Sequence, residues 1–309
     1  MVRLGQVGLL ILALVAFVVV LGHSTPLSSA NQTIVPLSLS QVATYRPYTY
    51  FAATGYCPAN FTLSWSCGVN CLGNADFKPV ASGGDGEFSQ YWFVGYSPSL
   101  KRVIVSHQGT QFSDVVSIIE DAAIIQTPLD PVLFPGIDPN ISVHCGFADE
   151  HARTATLVLA AVKTALAEYD TSTITAVAHS LGGAIALLDG VYLPLHLSAT
   201  VKVNVVAYGL PRVGNQAFAN YVDAHLSLTH INNRKDVVPI IPGMDLDYHH
   251  PSGEVHIQES GEWDSCPGQD NESNLCSTGA VPSVLDGSIA DHDGPYDGVL
   301  TSCSYLTNA

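Results

Sequence analysis

The spacing of apolar residues predicts an alternation of strands and helices from Tyr91 to Asn232. Tyr91 to Tyr96 is aromatic and β-branched and predicts a strand, ended by Pro98; Arg102 to Ser106 predicts a second. Between Phe147 and Asp170 the residues Ala155, Val158, Leu159, Val162, Leu166 and Tyr169 recur at the period of one helix face. Asp149 and Glu150 sit where the helix dipole favours acids. Thr173 to Ala178 predicts a strand and Leu181 to Leu188 a helix. Val201 to Tyr208 predicts a strand nearly continuous in apolar character, and Thr229 to Asn232 a further short one. Strands apolar on both faces and separated by helices belong to a mostly parallel sheet covered by helices. The run from Tyr91 to Ser106 could form an antiparallel pair at one edge, so the expected class is α/β with a mixed sheet. Ser82 to Gly86 predicts a turn, and residues 31–75 show no period and read as irregular.

The first thirty residues stand apart. Arg3 precedes Val7 to Leu21, fifteen residues without charge, and Ser28-Ser29-Ala30 offers a small-residue cleavage site, with Ser24 as an alternative cut. The stretch falls short of the ~20 residues needed to span a bilayer. The expectation is a signal peptide over 1–30 and a single domain over 31–309, secreted and without stable membrane insertion; a retained anchor is the rival. No repeat, low-complexity tract or linker divides the remainder. Four acceptor sequons, at Asn31, Asn60, Asn140 and Asn271, agree with a secretory route. Lys and Arg total 11 against 27 Asp and Glu, a net charge of −16 that argues against nucleic acid and anionic membrane surfaces. Seven cysteines in an oxidising compartment favour disulfides and leave one thiol over, expected to be Cys145, buried and inert. Cys67 and Cys71 lack the second pair with nearby histidines that a zinc site needs.

The candidate chemistry lies in Thr173-Ile174-Thr175-Ala176-Val177-Ala178-His179-Ser180-Leu181-Gly182-Gly183-Ala184, where a strand runs into a helix with serine at the junction. Such a turn projects a hydroxyl above the sheet edge and demands small neighbours, while the helix N-terminus brings N–H groups towards developing negative charge. The bland alternative is a serine that caps the helix. Serine needs a base, and the base an orienting acid. The backbone N–H of Leu181, following the nucleophile, is one expected oxyanion donor.

At this point the chain resembles the fungal class 3 lipases, the triacylglycerol lipase and feruloyl esterase group of α/β-hydrolases. The resemblance rests on Gln108-Gly109-Thr110, Val143-His144-Cys145-Gly146-Phe147, Ala178 to Gly183, Tyr208-Gly209-Leu210-Pro211-Arg212-Val213-Gly214-Asn215 and Asp236-Val237-Val238-Pro239. Gln108 stands where arginine is usual and Ala178 where the first glycine is usual, departures that resemble a basidiomycete-type subgroup. The resemblance implies an α/β-hydrolase fold, Asp236 as the acid and His292 as the base, with Asp245 and Asp247 as spare acids and His249 and His250 in a structural segment. It implies Thr110 as the second oxyanion donor, and disulfides Cys57–Cys303, Cys67–Cys71 and Cys266–Cys276. Ser113 to Asp121, with Val115, Ile118 and Ile119 on one face, falls where the family has a lid helix, although such spacing also suits a fixed core helix. Ile124, Leu133, Phe134 and Val237 are candidates for an acyl pocket that spacing alone does not assign. The implied activity is hydrolysis of carboxylic esters at a lipid–water interface, foremost of triacylglycerols, without cofactor or metal. An esterase for small or aryl esters, and a silent lipid-binding protein on the same fold, are the alternatives.

Overall fold

Strands that bury both faces form the centre of the molecule, and their order decides which loops can meet. The computed structural model describes residues 33–110 and 125–304. Its strands are β1 (Val35–Pro36), β2 (Lys78–Gly83), β3 (Trp92–Ser97), β4 (Arg102–His107), β5 (Gln126–Pro128), β6 (Ser142–His144), β7 (Thr173–His179), β8 (Lys202–Tyr208), β9 (Ser227–Asn233), β10 (Glu254–Ile257) and β11 (Trp263–Cys266). The main sheet runs β1-β11-β10-β9-β8-β7-β4-β3-β2, and β5 pairs with β6 apart from it. β4, β7, β8, β9 and β10 are parallel, whereas β2 and β3 at one side and β11 and β1 at the other are antiparallel. This is the α/β-hydrolase fold, with a mixed, mostly parallel sheet.

The helices are α1 (Leu39–Ala43), α2 (Arg46–Thr54), α3 (Ala59–Ser64), α4 (Val69–Leu72), α5 (Cys145–Glu168), α6 (Leu181–His196), α7 (Gln216–His225) and α8 (Ser277–Ala280). The strand period of two sorts the core into layers. Val103, Val105, Ile174, Ala176, Val203 and Val205 pack with Val158 and Val162 of α5 and Leu187 and Leu188 of α6. Ile104, Val177 and Val206 point the other way, towards Phe51 of α2 with Phe77 and Phe93.

Several expectations change. Residues 39–72 are not irregular but form α1 to α4, elements too short and too interrupted by proline and glycine to display a period. The pair β3–β4 is antiparallel, but β2 lies outside it, so the pair is not the edge. The helix expected from Phe147 starts earlier, at Cys145, where the His144 ring accepts a hydrogen bond from the Gly146 N–H at 3.1 Å. Cys145 is the free cysteine, but it is partly exposed at this helix start rather than buried. The helix expected to end at Leu188 continues to His196, with Asp189 and Gly190 buried within it. The N-terminal segment 1–30, Asn31 and the candidate lid Ser113 to Asp121 lie outside the described residues. Asn60 and Asn140 are exposed, whereas Asn271 donates its amide to the Pro267 carbonyl at 2.8 Å.

Disulfides join Cys57 to Cys303, Cys67 to Cys71 and Cys266 to Cys276. Among the described residues, no helix is long and apolar enough to cross a membrane.

Asp189 shows how α6 tolerates an acid in its core. Burial disfavours the charge, but His107 and then His151 outweigh it and hold the carboxyl down at about 2, against an ordinary 3.8. A folded value below the unfolded one stabilises the fold above about pH 4 and is lost as pH falls towards about 2. Equilibrium unfolding over that interval should show a loss on the order of 2 kcal/mol from this group. Asp189→Asn should remove that part of the slope; an unaltered acid limb in the variant would refute the assignment.

Candidate active site

β7 ends at His179 and α6 begins at Leu181, so Ser180 alone makes the turn between them. Its backbone is left-handed, φ 60° and ψ −132°, a conformation that costs a side-chain-bearing residue roughly 1–3 kcal/mol. The Ser180 N–H donates to the Tyr208 carbonyl at 2.9 Å, which ties the turn to the end of the neighbouring strand. The hydroxyl makes no capping bond to α6, so the helix-cap reading fails. A methyl at Gly182 would lie 2.5 Å from the His107 carbonyl oxygen and 2.8 Å from that of Gln108; only glycine lets α6 start against the β4 turn. Ala178 is fully buried without conflict, which accounts for a methyl at the first small position.

Asp236 and His292 come together from 56 residues apart. His292 Nδ1 lies 2.8 Å from Asp236 Oδ2, and both side chains are buried. Asp236 Oδ1 accepts from the Val238 N–H at 2.9 Å, so the carboxylate is oriented from both sides. A carboxylate facing Nδ1 selects the tautomer with its proton there, and Nε2 is left with a lone pair. Nε2 is buried and has no partner among the described residues. The imidazole packs against His179, next to Ser180, with ring centroids 4.3 Å apart.

The backbone of His292 is held as firmly as its ring. Its carbonyl accepts from His179 Nε2 at 2.8 Å and from the Tyr296 hydroxyl at 3.0 Å. A carbonyl can only accept, so His179 carries its proton on Nε2 and its Nδ1 accepts from the Tyr56 hydroxyl at 2.6 Å. Burial, reinforced by the neighbouring His292, pushes the His179 imidazole well below its usual pKa and keeps it neutral. Thr301 holds the Asp293 carbonyl through its N–H and hydroxyl at 3.0 and 3.2 Å, two residues before the disulfide at Cys303.

Thr110, Ser180 and Leu181 line one cavity of about 340 Å³. Its other walls are largely apolar, with Phe147, Pro211, Val238, Ile240, Ile241, Pro242, Pro282 and Val284 among them. The Thr110 hydroxyl oxygen is buried with no partner among the described residues. Arg212 anchors one wall: its guanidinium donates to the carbonyls of Ile240 and Pro242 and pairs with Asp270 at 2.8 Å.

Some expected residues go elsewhere. Leu133 and Phe134 belong to the α5–α6 core and Val237 to a small cluster with Val281. Neither Leu133, Phe134 nor Val237 lines the cavity, and Ile124 lies outside the described residues. Of the spare acids, Asp245 lines the cavity and Asp247 is exposed. His250 binds the Pro239 carbonyl and His249 pairs with Asp270. Sequence reasoning missed Tyr56 and the wall from Ile240 to Gly243, and it gave Gly209 no role beyond its place in a motif. The wall directly follows Asp236-Val237-Val238-Pro239, which was the available signal.

Residues 104–246 match the family model described as lipase (class 3). A secreted mono- and diacylglycerol lipase of Malassezia globosa is 32% identical over 229 residues, 73% of this chain and 72% of that protein. The crystal structure of a lipase from Rhizopus microsporus var. chinensis is 27% identical, with a TM-score of 0.75 over 87% of this chain and 92% of the other. A triacylglycerol lipase whose catalytic centre is formed by a serine protease triad is 25% identical, with a TM-score of 0.75 over 88% and 100% of the two chains.

Gly209 gives a direct test of the site's tolerance. It has φ +51°, and an added methyl would lie 2.9 Å from His292 Nδ1 and 3.0 Å from Asp236 Oδ2. Gly209→Ala should destabilise the fold by roughly 1–3 kcal/mol and slow fluorophosphonate labelling of Ser180 at least tenfold. Wild-type labelling in a folded variant would show that the Asp236–His292 pair does not activate the serine.

Proposed function

The chain belongs to the class 3 lipases and is a carboxylic ester hydrolase, and from that premise we propose that it cleaves acylglycerols, foremost triacylglycerols, through Ser180, His292 and Asp236. Ser180 Oγ attacks the acyl carbonyl carbon as its proton passes to His292 Nε2, and Asp236 steadies the resulting imidazolium. The oxyanion is received by the N–H groups of Leu181 and Thr110 and by the Thr110 hydroxyl, each donor lowering the barrier by about 3 kcal/mol. Collapse breaks the ester bond, and His292 returns the proton to the departing glyceride oxygen. Water then repeats the sequence on the acyl-enzyme, releasing the fatty acid and restoring Ser180. No step requires a cofactor or metal.

The observation that carries the reading is the apolar cavity opening on Ser180 beside the Thr110 hydroxyl, which has no partner among the described residues; this suits an alkyl chain held next to a developing oxyanion. Met244, Leu246, Val284 and Leu285, in or next to the segments that wall the cavity, are exposed apolar residues suited to contact with a lipid surface. The net charge of −16 favours an uncharged surface over an anionic one. Secretion after removal of residues 1–30 is supported by the sequence of that segment, and the matching Malassezia lipases are named as secreted.

Hydrolysis of an emulsified long-chain triacylglycerol should outpace that of soluble methyl ferulate, and Ser180→Ala should lower it by about four orders of magnitude or more. Faster turnover of the ferulate would replace the glyceride reading with the aryl esterase one. Activity surviving in Ser180→Ala would displace the proposed nucleophile.

A further inference from the structure

Three buried titratable side chains take no part in those proton transfers, yet they lie beneath the turn that carries Thr110. Asp189 Oδ2 is 2.7 Å from His107 Nε2, and its Oδ1 is 3.1 Å from His151 Nε2. All three side chains are at most 1% exposed. The cluster joins the last residue of β4 to α5 and α6, and the rings of Phe134 and Tyr192 stand 5.4 and 5.3 Å from that of His151. The Nδ1 atoms of both histidines are buried and without partners among the described residues.

A well-packed apolar core commonly serves stability as well as or better than a buried ionic group, so such a group suggests that direction matters. A carboxylate that accepts one bond on each oxygen fixes an angle as well as a distance. Here the fixed group is the end of β4. The His107 carbonyl crosses over Gly182, and the next residue is clamped twice to Tyr91. The Gln108 N–H donates to the Tyr91 carbonyl at 2.7 Å, and the Tyr91 N–H donates to Gln108 Oε1 at 3.0 Å. A methyl at Gly109 would collide with the Tyr56 hydroxyl and the His179 carbonyl. Thr110 follows at once, in the cavity wall.

We propose that Asp189 is a positioning residue for the oxyanion donors: through His107 it sets the end of β4 and hence Thr110, while His151 holds the second carboxylate oxygen. The inference rests on the reading of Thr110 as an oxyanion donor. A misplaced donor weakens binding of the charged intermediate more than of the neutral ester, so it lowers kcat and leaves KM nearly unchanged.

A double-mutant cycle of Asp189→Asn and Thr110→Val tests this, with kcat expressed per active site titrated by a fluorophosphonate so that misfolded molecules do not count. Each single variant should lose roughly tenfold or more in kcat with KM within about twofold. The double variant should lose little more than the worse single one, because displacing Thr110 already forfeits the hydroxyl that Thr110→Val deletes. If Asp189→Asn is not obtained folded, His107→Leu takes its place in the cycle, since it removes the donor from β4 and leaves Asp189 bonded to His151. Losses that multiply, or an unchanged per-site kcat in the Asp189 or His107 variant, would overturn the positioning role while the Thr110 reading stands. An unchanged Thr110→Val would retire the hydroxyl donor and this inference with it.

Discussion

One residue held in a conformation it would not choose underlies the whole arrangement. Ser180 occupies the left-handed region at φ 60°, and the surroundings, not the residue, supply the reason. The bond from its N–H to the Tyr208 carbonyl, the apolar strand before it and the buried helix after it together outweigh a strain of roughly 1–3 kcal/mol. With the turn fixed, the side chain has nowhere to go but into the cavity wall, and neighbouring segments must be shaped around it. Gly182 and Gly209 are the visible results: a side chain would strike the backbone of the β4 turn at the first and the His292–Asp236 pair at the second.

Parallel order then determines which segments share the site. β4, β7, β8 and β9 lie side by side, and the residues at or just beyond their C-terminal ends include Thr110, Ser180, Gly209 and Asp236. Binding at the carboxyl ends of such strands is the general habit of open α/β sheets. His292 is the exception, since it follows a single 3-10 turn, Ile289–Asp291, with no strand of the sheet behind it. Its position is therefore fixed by hydrogen bonds: Asp236 at the ring, and His179 and Tyr296 at the carbonyl.

This difference explains what could be read from the chain alone. β7 and α6 are legible because a doubly buried strand and a pair of close-approach glycines leave a pattern that few other structures produce. His292 leaves no pattern of its own among twelve histidines, and only its place in a familiar order of motifs singles it out. Asp189 gives no local sign of its burial, since an acid followed by glycine is more usual near the end of a helix than in its core. Its partners, His107 and His151, lie 82 and 38 residues away, and nothing local announces them. The four N-terminal helices are hidden for a simpler reason: a helix of four to nine residues is too short to establish a rhythm.

The hub at Arg212 has a consequence for how this scaffold can vary. Its guanidinium grips the backbone of Ile240 and Pro242 and a carboxylate, Asp270, from the loop closed by Cys266 and Cys276. The course of that wall is therefore set by main-chain carbonyls, whatever side chains the wall presents. Ile240 and Ile241 can change bulk while the frame behind them keeps its shape. Substrate range can then drift by exchange of single apolar residues, without rebuilding the fold.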